Sequence, residues 1–258
     1  MHWIDTHTHL YLEQFDPDRD AMIQRAIHAG IKAFLLPNID KDSLQALLKM
    51  CADYPGVCLP MAGLHPTSVD EDVETQLEAI EKTLNKYKFV GIGEIGIDLY
   101  WDKTFTNQQI MAFQRQLDWA KALDLPVAIH ARDAFPLVID LTENAQDGRL
   151  KGVFHCFTGG LEEAKRMIDL NFMLGIGGVL TYKKSPLPAV IDAIPLNHLI
   201  LETDSPYLPP VPHRGKRNES SFLIETAVKL AEIKQLSLDE VARITTINAC
   251  KLFNINLI

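Results

Sequence analysis

Two histidines near the start of the sequence, His7 and His9, follow a short apolar run that is typical of a buried β-strand. Residues two apart on a strand point to the same side, so both imidazoles would face one site if the strand persists. Two imidazoles on one side make half of a metal site. Taken alone, the pair could equally be polar residues at the end of a strand.

The same placement recurs along the chain, where single polar residues end apolar runs. The further candidates are His65, Glu94, His130, His155 and Asp204. Five of the nine histidines therefore fall at the ends of predicted strands, which chance does not readily explain. Glu202 is expected to face the same side as Asp204 and to support the site rather than to bind metal.

Imidazole and carboxylate together are typical ligands of zinc, manganese, nickel or iron, and they suit magnesium less well. The candidate ligands are His7, His9, Glu94, His130, His155 and Asp204, more than one zinc ion takes. Two metal ions bridged by a carboxylate would use them all, and Glu94 has two oxygens with which to form that bridge. Such a pair activates a hydrolytic water, whose proton Asp204 could accept.

The elements that would hold these side chains alternate between apolar runs and amphipathic stretches from end to end. Eight predicted strands, each followed by a predicted helix, favour an α/β fold of the (β/α)8 TIM-barrel type, with extra helices at the C-terminus. The active site of such a barrel lies at the carboxyl ends of its strands. Thr106 with Gln109 and Ser237 with Glu240 are predicted capping boxes. We interpret residues 1–258 as a single domain.

Composition narrows the function classes. The chain has 258 residues, 47% of them hydrophobic, and a net charge of -9, which argues against a broad nucleic-acid-binding surface. It does not exclude a small site, because bound cations add local positive charge. The four cysteines form no C-x-x-C pair and predict no disulfide framework. We see no secretory signal or membrane span, so we expect a cytoplasmic protein. We also expect that it neither binds a membrane nor requires a protein partner.

Candidate substrate contacts lie near the predicted active face. The proline-rich loop from 205 to 219 carries His213, Arg214, Lys216 and Arg217, and the loop after strand eight is a frequent phosphate site in these barrels. It could also be a solvated charged segment. The other candidates are His65, Arg132 as a bidentate phosphate ligand, and Tyr100, Trp101 and Tyr207, which could stack on a base or pack at the rim.

Five ordered motifs resemble the TatD family of metal-dependent deoxyribonucleases, which belongs to the amidohydrolase superfamily. They are Asp5-Thr6-His7-Thr8-His9-Leu10, Gly93-Glu94-Ile95-Gly96-Ile97-Asp98, His130-Ala131-Arg132-Asp133-Ala134, His155-Cys156-Phe157-Thr158-Gly159 and Glu202-Thr203-Asp204-Ser205-Pro206-Tyr207-Leu208. The resemblance implies a two-metal site and hydrolysis of phosphodiester bonds in DNA, exonucleolytically. It implies one metal held by His7, His9, Glu94 and Asp204, and a second held by Glu94, His130 and His155.

Three positions depart from the family pattern, and two other functions stay open. Tyr11 stands where the family usually has Asp or Asn, Gly160 replaces a common Ser, and Ser220 replaces a common Pro. One alternative is another hydrolase of the superfamily, acting on a small ester, amide or phosphodiester. Several of those enzymes bridge their metals with a modified lysine at strand four, where this chain has Glu94. The other alternative is a non-catalytic metal-binding protein.

Overall fold

Eight strands and nine α-helices alternate through residues 1–257, the part of the chain that the computed structural model describes. The strands are β1 Trp3–Asp5, β2 Ile31–Pro37, β3 Cys58–Ala62, β4 Gly91–Asp98, β5 Val127–Arg132, β6 Gly152–Phe154, β7 Phe172–Ile176 and β8 Leu199–Leu201. The helices are α1 Arg19–His28, α2 Leu44–Asp53, α3 Val73–Leu84, α4 Thr106–Leu123, α5 Phe135–Ala145, α6 Leu161–Asp169, α7 Leu187–Ala193, α8 Leu223–Lys234 and α9 Leu238–Phe253.

The sheet runs in chain order from β1 to β8, and every neighbouring pair is parallel. Hydrogen bonds from the first strand to the last close it into a barrel. The backbone N–H and the hydroxyl of Thr6 both donate to the carbonyl of Leu201, at 3.2 and 3.0 Å. Just beyond, the backbone N–H and the hydroxyl of Thr203 donate to the buried carboxylate of Asp5. The fold is therefore the predicted TIM barrel.

Side chains inside the barrel form a cluster separate from the one between sheet and helices. Its strand members are Ile4, Ala33, Leu35, Met61, Ala128, Val153 and Ile200. The end of α9 contributes Ala249, Leu252 and Phe253, and this helix lies beyond the eight that follow strands. Because side chains alternate along a strand, residues two positions after these interior ones also face inward. That alternation carries His130 and His155 to the carboxyl end of the barrel interior.

Strands β4 and β5 approach closely beside the site. A side chain at Gly96 would place its Cβ 1.9 Å from the carbonyl oxygen of His130, and the φ angle of Gly96 is +146°. Only glycine fits both conditions. The contact keeps the backbone of the Glu94 strand directly against the backbone of the His130 strand.

The structure has the predicted alternation of strands and helices and differs from the sequence interpretation in three details. Strand β4 continues past Glu94 to Asp98, so Glu94 lies within the strand rather than at its end. The capping box predicted at Thr106 is wrong, because Gln109 bonds instead to the backbone of Asp98. The box at Ser237 and Glu240 is confirmed. Helix α8 follows β8, so only α9 is an extra helix. No helix in residues 1–257 has the length and apolar character needed to cross a membrane.

The seam between β8 and β1 yields a stability prediction. Thr203→Val keeps the shape of the side chain but removes the hydroxyl that donates to Asp5 at 2.6 Å, leaving a fully buried carboxylate oxygen short of a donor. We expect the free energy of unfolding, measured by urea titration, to fall by about 1–3 kcal/mol.

The matched control is Thr142→Val. The Thr142 hydroxyl is also buried, but it donates to a carbonyl within its own helix, a bond that adds little stability. Equal unfolding midpoints for the two variants would show that the Thr203–Asp5 bond does not hold the seam.

Candidate metal centre

The buried carboxylate of Glu94 lies at the middle of the predicted ligands, with its two oxygens facing different histidines. Its Oε2 atom is 3.0 Å from Nε2 of His7 and 3.5 Å from Nε2 of His9. Asp204 adds a second carboxylate on the same side, with Oδ1 3.8 and 3.5 Å from those two nitrogens. The ligand atoms of His7, His9 and Glu94 lie within 4.8 Å of one another, as do those of His7, His155 and Asp204, so each set could hold a cation.

The other oxygen of Glu94, Oε1, faces a second group of imidazoles. It lies 2.7 Å from Nε2 of His155, 3.0 Å from Nδ1 of His130 and 3.2 Å from Nε2 of His65. The structure thus brings together all six predicted ligands, with His65 as a seventh neighbour. Glu94 separates them into two groups, one at each of its oxygens.

Tyr11 fixes the orientation of His9. Its hydroxyl donates to the carbonyl of Pro37 at 2.6 Å, so its oxygen accepts a hydrogen bond from Nδ1 of His9 at 3.1 Å. With one proton fixed on Nδ1, the ring presents Nε2 to Glu94 and Asp204, and a cation that displaced the second proton would bind at this nitrogen. Such outer partners orient metal-binding histidines and raise their basicity.

Asp98 does the same for His130, through the opposite ring nitrogen. Nε2 of His130 donates to Oδ2 of Asp98 at 2.9 Å, which turns Nδ1 toward Oε1 of Glu94, 3.0 Å away. The other oxygen of Asp98 accepts the backbone N–H groups of Tyr100 and Trp101. Asp98 therefore couples the ligand to the loop that follows β4.

Glu202 lies behind His155, as the sequence interpretation expected of a supporting residue. It is fully buried, its Oε1 is 3.5 Å from Nδ1 of His155, and the same oxygen accepts the backbone N–H of Cys156. Gly175 makes the room, since a Cβ there would lie 2.3 Å from Oε2 of Glu202. The Cys156 thiol lines the cavity, and burial raises its pKa well above the usual range, so it is not a thiolate.

His65 has the tautomer of a hydrogen-bond donor rather than a ligand. Its Nδ1 accepts the backbone N–H of Thr67 at 3.1 Å, so the proton of the neutral ring lies on Nε2. Burial lowers the pKa of His65 and keeps that ring neutral. Nε2–H therefore donates to Oε1 of Glu94, 3.2 Å away, at a position that lines the cavity.

The electrostatics of the cluster call for cations. Burial raises the pKa of Glu94, but the imidazoles of His155, His65 and His7 outweigh burial and hold it well below its usual range. Burial lowers the pKa of His9, yet its bonds to Asp204 and Glu94 raise it to about 9. The buried carboxylates thus attract positive charge, which divalent cations supply through the same nitrogen and oxygen atoms. The donor set fits zinc, manganese, nickel or iron.

The remaining predicted contacts lie around a cavity of about 800 Å³ over the ligand cluster. Arg132 and Tyr207 line it. Arg214 lies over the ring of Tyr182, 3.8 Å from its centroid, and is not among the residues lining the cavity. Arg217 is engaged elsewhere, because its guanidinium pairs with Asp18 at 2.7 Å.

Two supporting residues escaped the sequence interpretation. Asp98 ends the motif from which only Glu94 was chosen as a candidate. It lies four residues after Glu94, so the alternation of side chains along a strand could have placed it on the same side and suggested it as a partner for His130. Tyr11 was noted only as a departure from a family pattern. Its hydrogen bond to the Pro37 carbonyl depends on how β1 and β2 meet, which no local signal reveals.

Comparison with known proteins identifies the family. The protein-family model described as TatD related DNase matches residues 4–254. The chain belongs to the TatD family. Among its relatives, the uncharacterized metal-dependent hydrolase YabD of Bacillus subtilis is 37% identical over 253 residues, 98% of this chain and 99% of that protein. YjjV of Escherichia coli K12, also named an uncharacterized metal-dependent hydrolase, is 32% identical over 257 residues and 98% of each chain.

Solved structures agree with this assignment. The crystal structure of YjjV, a TatD homolog from E. coli K12, has a TM-score of 0.92 and 31% identity over 98% of each chain. An uncharacterized amidohydrolase from Saccharomyces cerevisiae is 18% identical, with a TM-score of 0.86 over 98% of this chain and 99% of that one, which shows the shared amidohydrolase fold. This TatD protein is therefore a metal-dependent hydrolase built on that fold.

The bond between Tyr11 and His9 generates a prediction about metal affinity. Tyr11→Phe removes the acceptor that holds the Nδ1 proton, so His9 is free to rotate or to change tautomer. We expect the dissociation constant for a divalent metal ion, measured by competition with a chromophoric chelator, to rise roughly ten- to hundredfold.

Tyr182→Phe is the matched control, because its hydroxyl also donates to a proline carbonyl, that of Pro209, but contacts no candidate ligand. Its metal affinity should equal that of the parent. A Tyr11→Phe protein with parental affinity would mean that the packing around His9 alone determines its orientation.

Proposed function

We propose that this TatD protein hydrolyses phosphodiester bonds in DNA, releasing nucleotides from strand ends, with two divalent cations bridged by Glu94. The observation that carries the proposal is the separation of the ligand nitrogens between the two oxygens of Glu94. In this assignment His7, His9 and Asp204, which surround Oε2, would hold one cation. His130 and His155, which lie beside Oε1, would hold the other. Hydrogen bonds to Tyr11 and Asp98 occupy one ring nitrogen of His9 and of His130. They turn the other nitrogen of each ring toward Glu94, which supports the assignment.

Divalent cations bound there would polarise a phosphoryl oxygen and lower the pKa of a water molecule. The protein itself supplies the proton acceptor. Burial raises the pKa of Asp204, but the hydrogen bond from His9 and the nearby imidazoles hold it below its usual range, so the carboxylate is ionised at neutral pH. With 14% of its side chain exposed, it faces the cavity and can take the proton of the attacking water.

Cationic and donor groups around the cavity suit a phosphodiester. Nε2–H of His65 would be released to donate to a phosphoryl oxygen if a cation took its place at Oε1 of Glu94. Arg132 can bind phosphate through two N–H groups. Arg214 and Lys216 extend the positive charge along the loop after β8. The family description, TatD related DNase, names DNA as the substrate of its members and supports the same choice here.

A small ester, amide or phosphodiester is the alternative substrate class within the superfamily. The absence of any lysine between Gly91 and Asp98 argues against the enzymes that bridge their metals with a modified lysine at this strand. The cytoplasmic location stays a prediction, as does independence from a protein partner.

The direct test is metal-dependent hydrolysis of DNA labelled at either the 5′ or the 3′ end. We expect chelated protein to be inactive and added manganese or magnesium to restore stepwise shortening from one end. Asp204→Asn keeps the shape of the side chain but cannot accept a proton near neutral pH. It should lower kcat by about 100- to 10,000-fold with little change in KM.

Two results would contradict the proposal. Turnover of a small activated diester without any cleavage of DNA would assign the site to the alternative class. An Asp204→Asn protein that keeps its metals and its kcat would remove Asp204 from the reaction.

The loop after β8 generates a salt-dependence prediction. Because Arg217 is paired with Asp18, the loop offers Arg214 and Lys216 to a polyanion. If each contacts one phosphate of a single strand, the double Ala variant should lower the slope of log affinity against log salt by about 1.4. A small diester should be hydrolysed at the parental rate.

The control replaces Lys229 and Lys251, which lie on α8 and α9, with Ala. It matches the change in net charge, so its slope should stay parental. Equal slopes for both double variants would make the loop a solvated charged segment.

A further inference from the structure

Two neighbouring aromatic rings, Tyr100 and Trp101, stand exposed, and Trp101 lines the cavity over the ligand cluster. Tyr100 is 53% exposed and Trp101 69%, whereas the other two tryptophans, Trp3 and Trp119, are 1% and 7% exposed. The two rings meet edge to face, with centroids 4.9 Å apart. Burying such rings stabilises a fold, so a pair left in solvent beside an active site suggests a binding surface.

The backbone that carries these rings is held by the ligand cluster. Oδ1 of Asp98 accepts the N–H groups of Tyr100 at 2.9 Å and of Trp101 at 3.2 Å, while Oδ2 accepts the proton of His130. One carboxylate therefore sets the position of the rings relative to a proposed metal ligand. The surface is preorganised rather than a mobile loop tip.

Arg132 completes the surface. Its guanidinium carbon lies 3.9 Å from the ring centroid of Tyr100 and 5.2 Å from that of Trp101. Within residues 1–257 its side chain makes no hydrogen bond or ion pair, so stacking on Tyr100 leaves the N–H edge available. That edge can bind a phosphate while the neighbouring ring binds an uncharged group.

Charge decides which part of a nucleotide Trp101 can take. Trp101 also borders a second cavity, where one lysine, Lys41, is outnumbered by five aspartates, Asp40, Asp42, Asp70, Asp98 and Asp102. A phosphate placed there would be repelled, whereas a neutral flat ring would not. A nucleotide with its phosphate toward Arg132 and the ligand cluster would therefore place its base on Trp101.

We propose that Tyr100, Trp101 and Arg132 form a nucleobase-stacking subsite for the nucleotide whose phosphate lies at the ligand cluster. The subsite rests on the proposed function and narrows its substrate: a base stacks on a protein ring only when it is free of its own duplex. It thus favours single-stranded or frayed DNA ends, with little preference among bases, since every base has a π face.

Trp101 is the exposed tryptophan of the three, so its fluorescence reports the subsite directly. The probe is deoxyadenosine 5′-monophosphate, a nucleotide that has no phosphodiester to cleave. It is added to metal-loaded protein. We expect saturable quenching by this nucleotide and none by deoxyribose 5-phosphate, which carries the same phosphate without a base. Equal quenching by both, or by neither, would overturn the subsite.

A second readout is the affinity of the protein for a labelled single-stranded oligonucleotide. For this measurement the protein is loaded with calcium in place of the catalytic metal. Trp101→Ala should weaken binding by roughly 5- to 100-fold, and Trp101→Phe should restore most of the affinity because a phenyl ring also stacks. Tyr87→Ala is the control, an exposed aromatic between α3 and β4, at the amino end of that strand. Parental affinity in Trp101→Ala would also overturn the subsite.

These outcomes are separable from those of the proposed function. Base-dependent quenching without any hydrolysis of DNA would leave the subsite standing and remove the nuclease. If the protein hydrolyses DNA and Trp101→Ala binds the oligonucleotide with parental affinity, the proposed nuclease activity stands and the subsite is removed.

Discussion

Five imidazole rings surround the two carboxylate oxygens of Glu94 in the barrel interior, where only 2% of this residue is exposed. A buried negative charge is costly unless it is paired, and here several histidines from different strands share that pairing. Oε2 faces His7 and His9, whereas Oε1 faces His65, His130 and His155, so the carboxylate both joins and separates two groups of imidazoles. The geometry of the site depends on this one side chain.

The rest of the barrel keeps that arrangement in place. Gly96 allows β4 and β5 to approach, so that Glu94 and His130 meet across adjacent strands. Hydrogen bonds at the seam of β8 and β1 bring Asp204 back to His7 and His9. Outside the ligands, Tyr11 and Asp98 orient one imidazole each and decide which nitrogen faces the cluster. Asp98 extends the same order to the loop that carries Trp101.

Hydrophobic patterning predicted the strands and helices to within a few residues, because burial on one face leaves a clear period. It also predicted that the polar candidates lie near the carboxyl ends of the strands, although Glu94 and His130 lie within theirs. What it could not predict were pairings between distant segments, such as Arg217 with Asp18 or His130 with Asp98. Arg217 was grouped with a charged loop because its partner lies in another part of the chain. Glu94 was placed at the end of a strand because the glycines around it are typical of the turn that follows a strand.

The central claim is that Glu94 bridges two divalent cations. The most direct measurement is anomalous diffraction from crystals of the protein loaded with manganese, collected above and below the manganese absorption edge. The account predicts two anomalous peaks a few ångströms apart, one beside Oε2 near His7 and His9 and one beside Oε1 near His130 and His155. A single peak, or two peaks of which only one contacts Glu94, would contradict it.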